Sequence, residues 1–406
     1  MPRIIFLNRY FYPDYSATSQ LVSDLAFHFA AGGREVHVVT SRQRYDDPGS
    51  ELTARENVSG VEIHRVASTR FGRGGLVGRS FDYASFYYSA WRALRTLVQP
   101  GDIIIAKTDP PLLSILGAKA ARRGKAHLIN WLQDLYPEVA IELGVPLLGG
   151  FRGRLLAGMR DRSLAAADAN IVLGARMAER IAARGVPAAR IQIIANWADD
   201  EQIVPVEPAD NVLRKKWGLA DKFVVGYSGN LGRAYEFETL LGAAEKLRDN
   251  TRIAFLFVGG GKQFDDLAAQ VTARALKPSF HFLPYQDRAA LKYSLGVPDV
   301  HWISLKPSLE GLLFPSKLYG ILAAGRPVVA VTAKNGEIAA LVERHGCGIA
   351  VEPGDAEALA AAIATLAQDA KRCADLGRRA RALLEANFSR RHAFEQWDGL
   401  IEKVGR

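Results

Sequence analysis

Phe223-Val-Val-Gly-Tyr-Ser228-Gly229-Asn230-Leu231-Gly232-Arg233 decides how this chain is read. An uncharged β-forming run is followed by a turn of small residues, and a helical pattern begins near Glu236. Strand, glycine turn and helix in that order open a βαβ unit. The opening stands past the middle of a 406-residue chain. Before it lies a polar stretch, 196–208, holding Pro205 and Pro208, which reads as a linker. The pattern therefore starts twice, and each half has about the 200 residues that one α/β core supports.

Downstream, 254–258, 280–283, 301–304, 328–331 and 348–351 read as further strands of one parallel sheet. An Ala-rich helical stretch spans 355–385, and a last helix begins near Arg390. Upstream, the strands are expected at 3–8, 35–40, 61–67, 102–107, 126–131, 169–173 and 191–195. Helical patterns at 18–31, 82–98, 111–122, 152–166 and 174–184 separate them. Gly32-Gly33 precedes a strand and so reads as a helix stop, not as a phosphate loop. The expected architecture is α/β: two Rossmann-like, doubly wound parallel-sheet domains, 1–200 and 201–385, facing a central cleft. The helix 386–406 is expected to pack back on the first domain.

Composition sets the outer bounds. Hydrophobic residues make up 49% and charged residues 23%, as in a globular protein. Cys347 and Cys373 form neither a disulfide framework nor a metal cluster, so a reducing cytoplasm is expected. The opening MPRIIFLNRYFYP reads as a first core strand and not as a signal peptide. No run approaches the ~18 apolar residues of a spanning helix. No His-x3-His pair and no Asp-x-Asp occurs, so neither a cofactor nor a metal requirement is expected. The net charge is +9, and six arginines (65, 70, 73, 79, 92, 95) share 65–95 with one acid, Asp82.

Ligands of open parallel sheets bind beyond the carboxyl ends of the strands. The sharpest segment in such a place is Glu310-Gly-Leu-Leu-Phe-Pro315-Ser316-Lys317-Leu-Tyr-Gly320-Ile-Leu-Ala-Ala-Gly325-Arg-Pro327. Pro315 and Ser316 suit a helix start, where free N–H groups attract phosphate, and Lys317 adds a point charge. When a sugar leaves a diphosphate, negative charge grows on the β-phosphate. Donors fixed there stabilise the transition state more than the ground state. Gly229, Asn230 and Gly232 let the backbone approach a phosphate, and Arg233 is placed to bond it. The plainer reading of either segment, a capped crossover helix or a tight turn, stays open.

The stretch 308–331 resembles the donor-site segment of glycosyltransferase family 4, in its polysaccharide-assembly branch of the O-antigen and colanic-acid type. The openings 6–19, Trp131-Leu-Gln-Asp134-Leu-Tyr-Pro137-Glu138 and Gly229-Asn230-Leu-Gly232 resemble the same branch in the same order, from residue 1 to about 390. The resemblance implies a GT-B fold and sugar transfer with retention, from a nucleotide sugar (UDP by family habit) to a polyprenyl-diphosphate-linked glycan. It implies an arginine and a lysine on the diphosphate, taken here by Arg233 and, in place of the family's lysine, Lys317, and Pro284-Tyr285-Gln286 against the base; Glu310, two residues out of the family's register, is expected on the donor sugar. It also implies Asp134 at the reacting region, with Asn8, Arg9, Ser16, Ala17 and Thr18 facing the acceptor or donor phosphate. One departure is plain: the family's second glutamate, the ribose holder, is Gly320 here, and its partner eight positions earlier is Leu312. The lysine that usually follows the loop arginine is also missing, since Ala234-Tyr235-Glu236 comes next.

Residues 70–95 interleave arginines with Phe71, Phe81, Tyr83, Phe86, Tyr87, Tyr88 and Trp91. That mixture suits a helix on an anionic membrane surface, or a half-buried core helix; nucleic acid is not expected. The remaining alternatives are a GT-B epimerase or phosphorylase acting on a soluble sugar, and a silent nucleotide-sugar-binding protein.

Overall fold

The structure, a computed structural model, describes residues 1–406 apart from Tyr15, Asp46, Pro48, Ser50 and 72–74, and the side chains of Leu76 and Leu147. Tyr15, within the stretch 6–19, and Arg73, one of the six arginines of 65–95, thus lie outside the described residues. The chain divides into two compact units. The first comprises Met1–Ala195, Gly311–Phe314 and Phe394–Arg406, and the second Asn196–Glu310 and Pro315–Ala393.

In the first unit the strands are β1 (Ile4–Leu7), β2 (Val36–Ser41), β3 (Arg55–Val58), β4 (Val61–Val66), β5 (Ile103–Ala106), β6 (His127–Trp131), β7 (Ala169–Val172) and β8 (Ile191–Ile193). They form one sheet in the order β3-β4-β2-β1-β5-β6-β7-β8, parallel except for β3. Its helices are α1 (Ala17–Ala31), α2 (Leu76–Leu97), α3 (Leu113–Gly124), α4 (Glu138–Glu142), α5 (Gly150–Ala166) and α6 (Ala175–Ala182). Helices cover both faces, so β1, β2, β5 and β7 are buried along their whole length; β1 and β5 read as unbroken apolar runs, whereas β2 and β7 also bury His37, Thr40, Ser41 and Asn170. In α2 the fourfold spacing of Asp82, Phe86, Ala90 and Leu94 turns one face inward, and the three apolar members pack on Ile5, Ile104 and Leu116. Full burial of Phe86 contributes about 2 kcal/mol.

Two features of this unit differ from expectation. Strand β3 was not foreseen: its Arg-Glu-Asn-Val carries no apolar alternation and it lies on an exposed edge. Ser59 and Gly60, at φ 50° and 84°, make the two-residue turn that pairs it with β4. Helix α2 begins at Leu76, six residues before the expected start, because the aromatic pattern continues through Phe81.

The second unit holds β9 (Phe223–Asn230), β10 (Ile253–Gly260), β11 (Phe280–Leu283), β12 (Val300–Ser304), β13 (Val328–Val331) and β14 (Gly348–Val351). All pair in parallel, in the order β11-β10-β9-β12-β13-β14. Its helices are α7 (Val212–Lys216), α8 (Glu238–Lys246), α9 (Phe264–Ala273), α10 (Leu291–Gly296), α11 (Lys317–Ala323), α12 (Glu337–His345), α13 (Ala356–Gln368) and α14 (Ala370–Asn387); the last helix, α15 (Arg390–Val404), starts in this unit and belongs to the first from Phe394 on. Tyr227, Phe255, Phe257, Trp302 and Val329 form the centre of the second unit's core.

The chain ends differently from the expected 385/386 division. Residues up to Ala393 stay with the second unit, where Ser389 bridges Ala198 and Arg390 pairs with Asp199 at 2.7 Å. Only Phe394–Arg406 joins the first unit. There Trp397 sets its edge on Trp131 (centroids 4.8 Å apart), and Asp398 meets His28 Nε2 at 2.8 Å.

Candidate functional site

Each sheet has a switch point, where the connections leave in opposite directions and a crevice opens at the carboxyl edge. In the second unit it falls between β9 and β12, the strands that end at Asn230 and Ser304. The expected donor-side loops gather there. Gly229 lies at φ 116°, and a Cβ on it would stand 2.9 Å from Lys317 Cε. The Lys317 stem therefore lies against the loop because that position has no side chain. Lys317 Nζ donates to the Tyr235 hydroxyl at 2.9 Å and sits 4.7 Å and 5.3 Å from the ring centres of Tyr235 and Tyr227. The Tyr227 hydroxyl in turn donates to Asn230 O at 2.6 Å, so strand, loop and lysine are one connected piece.

Gly259-Gly260-Gly261, at the end of β10, belong to the same piece. A Cβ on Gly259 would fall 2.2 Å from Gly229 O, and one on Gly261 would fall 2.3 Å from Asn230 Oδ1. Leu231 N donates to Gly260 O at 2.7 Å, which locks the β9 and β10 loops together. Ser304, at the end of β12, holds Glu236 by both backbone groups, its Oγ accepting from N at 2.9 Å and donating to O at 2.7 Å. Arg233 is exposed and bonds no described residue, leaving its guanidinium available to a ligand. Tyr285 is exposed beside Gly260, and Gln286 Nε2 closes its own turn onto Pro284 O at 2.8 Å.

Three expected donor residues stand differently. Glu310 Oε1 accepts from Thr332 Oγ1 at 2.8 Å and Oε2 from Glu337 N at 3.3 Å. A Cβ on Gly336 would collide with that carboxylate at 2.3 Å. Glu310 is thus seated at the start of α12, a long-range contact that its local sequence did not announce. Pro315 and Ser316 precede α11 and do not form its first turn. Ser316 is exposed and its hydroxyl makes no cap bond. Gly320 is not demanded by packing: a Cβ there would meet only Leu295 Cδ1, at 3.5 Å.

In the first unit the switch point lies between β1 and β5. Asn8 is buried and donates to Tyr10 O at 2.7 Å. Arg9 is buried too, 5.2 Å from both the Tyr10 and Tyr83 ring centres and 3.8 Å from Asp82. As they stand, both serve the wall of the crevice and present no exposed group. Ser16 caps α1, accepting from Ser19 N at 3.3 Å, and Ala17 and Thr18 form the first turn.

Asp134 follows β6. Its backbone pairs with Leu313, and Leu135 N donates to Leu312 O at 2.7 Å. Burial pushes its carboxyl above the ordinary range, opposed by a hydrogen bond from Thr108. Two residues not singled out from sequence build this corner. Arg160 of α5 grips Glu138 through both oxygens (3.0 and 2.6 Å) and Tyr136 O at 3.0 Å, fixing the loop that carries Asp134. Lys107, at the end of β5, is buried with Nζ 3.3 Å over the Trp131 ring and no hydrogen-bond partner. Burial drives its amine well below the usual lysine range, with Asp109 and Asp24 opposing. Lys107, Thr108, Asp134, Tyr136 and Arg160 line a cavity of about 10 Å³, near the room one water needs. A larger groove, about 550 Å³, opens beside Glu138, Ile141, Gly153, Arg154, Ala157 and Arg184.

With this geometry in hand, the comparisons agree. Residues 17–197 match the Glycosyl transferase 4-like domain and residues 210–383 match Glycosyl transferases group 1. The chain is 27% identical over 327 residues to the probable glycosyltransferase WbjE of Pseudomonas aeruginosa, covering 79% of each. It is 27% identical over 366 residues to the putative colanic acid biosynthesis glycosyl transferase WcaI of Escherichia coli, covering 86% of this chain and 88% of that one. The Anabaena protein HepE, solved in complex with UDP, superposes at a TM-score of 0.73 with 17% identity, covering 99% of this chain and all of the other. Both halves of the chain therefore belong to the glycosyltransferases, as a family 4-like domain followed by a group 1 domain in the GT-B fold.

Proposed function

We propose that this protein is a retaining glycosyltransferase of surface-polysaccharide assembly. It takes a UDP-sugar carrying a hexose or N-acetylhexosamine and passes the sugar to a polyprenyl-diphosphate-linked glycan, without a metal ion. The observation that carries the reading is the Lys317 ammonium, held by Tyr235 against Gly229 at the switch point of the second sheet. A cation fixed before reaction meets charge growing on a leaving diphosphate without reorganisation. Arg233, free and exposed on the same loop, supplies a second cation. Tyr285 offers an exposed ring to the base, and Asp134 acts in the reacting region.

The relatives support the pathway class, since WcaI is named for colanic acid biosynthesis, and HepE has been solved with UDP. Residues 70–95 are the proposed contact with the anionic inner face of the inner membrane. The test is an assay of purified protein with each UDP-sugar and a short-chain prenyl-diphosphate glycan, with a chelator present. Product carrying the donor's own anomeric configuration by NMR supports the reading. Inversion, or activity only when metal is added back, contradicts it.

A further inference from the structure

Helix α5 is turned the wrong way round for an ordinary surface helix. Its buried face consists of Gly153, Ala157, Arg160, Ser163 and Leu164, whereas Phe151, Leu155 and Met159 point outward at fourfold spacing. Phe151 is 73% exposed. Helix α2 repeats the arrangement: Val77, Phe81 and Tyr88 stand outward, opposite the buried Phe86, Ala90 and Leu94. The two helices flank α3, which packs on both. All three belong to crossovers running the same way along the sheet, so right-handed connection places them on one face. Each starts at the carboxyl edge and runs back across the strands.

Cations share that face. Arg92 and Arg95 on α2, Lys119, Arg122 and Arg123 on α3, and Arg152, Arg154 and Arg162 on α5 are all exposed. None forms an ion pair with a described residue. The only acids in the three helices are Asp82, which is buried, and Asp161, which takes a bond from Arg160 at 2.7 Å. The result is one face that mixes exposed apolar residues with cations, Arg152 and Arg154 standing among the apolar stripe of α5 and Arg92, Arg95, Arg122 and Arg123 toward the far ends of α2 and α3. Phe81 and Arg92 are eleven residues apart, about 16 Å along a helix.

We propose that the outer face of α2, α3 and α5 is one docking surface for an anionic lipid bilayer. The stripes of α2 and α5 enter the boundary between headgroups and acyl chains, to a depth of about 5–10 Å, while the arginines around them reach the phosphate layer. This extends the proposed contact at 70–95 to α3 and α5 and rests on that reading. A second copy of the chain is a poor occupant, because two such faces would oppose like charges.

The test is co-sedimentation of the full chain with vesicles of phosphatidylcholine, alone or with about one third phosphatidylglycerol. Wild type should partition to the anionic vesicles and lose most of that binding in high salt. The pair Arg122→Gln with Arg123→Gln should weaken partitioning about thirtyfold, at about 1 kcal/mol per residue. The pair Phe151→Ser with Leu155→Ser should weaken it at least about tenfold. All four side chains are exposed, and an unchanged UDP-induced thermal shift verifies that each variant is folded. If Phe81→Ser with Tyr88→Ser abolishes binding but the α5 pair binds like wild type, the three-helix surface is wrong and the contact at 70–95 survives. If wild type ignores every vesicle, both are wrong, while the UDP shift reports separately on the transferase reading.

Discussion

Replacing Lys317 by methionine removes one charge from the start of α11 and little else. The methionine chain is as long as the lysine stem to its fourth carbon, the part that lies against Gly229. What disappears is Nζ, with its bond to Tyr235 and its place beside two rings. Those contacts are worth about 0.5–1.5 kcal/mol for the hydrogen bond and about 0.5–1 kcal/mol for the ring interactions, offset by the cost of partly desolvating an ammonium. Net stability should therefore move by no more than about 1 kcal/mol. In the transition state the loss is of another size: one preorganised donor on a developing oxyanion is worth about 3–4 kcal/mol, or a factor of about 10² to 10³ in kcat. Because that charge appears only as the bond breaks, KM for the donor should change by less than about tenfold. The assay is steady-state kinetics with varied UDP-sugar, alongside thermal unfolding. A kcat within about threefold of wild type in a folded variant would refute the role given to Lys317. Tyr235→Phe leaves the ammonium and removes its anchor, so a smaller loss, about tenfold, is expected.

Other outcomes follow from single residues. Asp134→Asn should raise the unfolding temperature at pH 7 while lowering turnover. The folded carboxyl titrates above its unfolded value, so its ionised form costs stability at pH 7, and the amide avoids that cost. A variant both less stable and fully active would count against the assignment. His301 is buried, its Nε2 on Leu295 O at 2.8 Å, and burial pushes its pKa down to about 4. The unfolded chain takes up the proton first as pH falls, so this contribution is complete above the ordinary histidine value and lost toward pH 4. Between pH 7 and pH 5 it should remove about 2 kcal/mol, a loss that His301→Gln should not show when unfolding is followed by denaturant titration. Gly320→Ala should stabilise the protein by up to about 1 kcal/mol, since only an ordinary contact with Leu295 awaits the methyl; unfolding at a lower denaturant concentration would show that the glycine has a packing role.

The sheets were legible because a parallel sheet covered on both faces needs unbroken apolar runs such as Ile4–Leu7 and Val328–Val331. The glycine loop after β9 was legible as a loop because it follows such a run directly, with glycines where two backbones must meet. Contacts between distant residues were not. Glu310 finds Thr332 and Glu337, 22 and 27 residues later, and nothing in its neighbours marks that choice. Lys107 reads as a charge that ends a strand, yet it is buried over Trp131. The spacing of Phe151, Leu155 and Met159 suggests a core-facing stripe, but the glycine and alanine face is the one turned inward. Periodicity reveals that a helix has an apolar side. It does not reveal whether that side meets the core.

Thermal-shift titration of wild type and Lys317→Met with UDP, GDP, ADP and dTDP, with and without magnesium, tests most simply the proposed nucleotide site built around Lys317 at the second sheet's switch point. Wild type should shift upward by several degrees with UDP, unaffected by magnesium, and the variant by less. No shift with any nucleotide, or equal shifts in the two proteins, would contradict the proposed site.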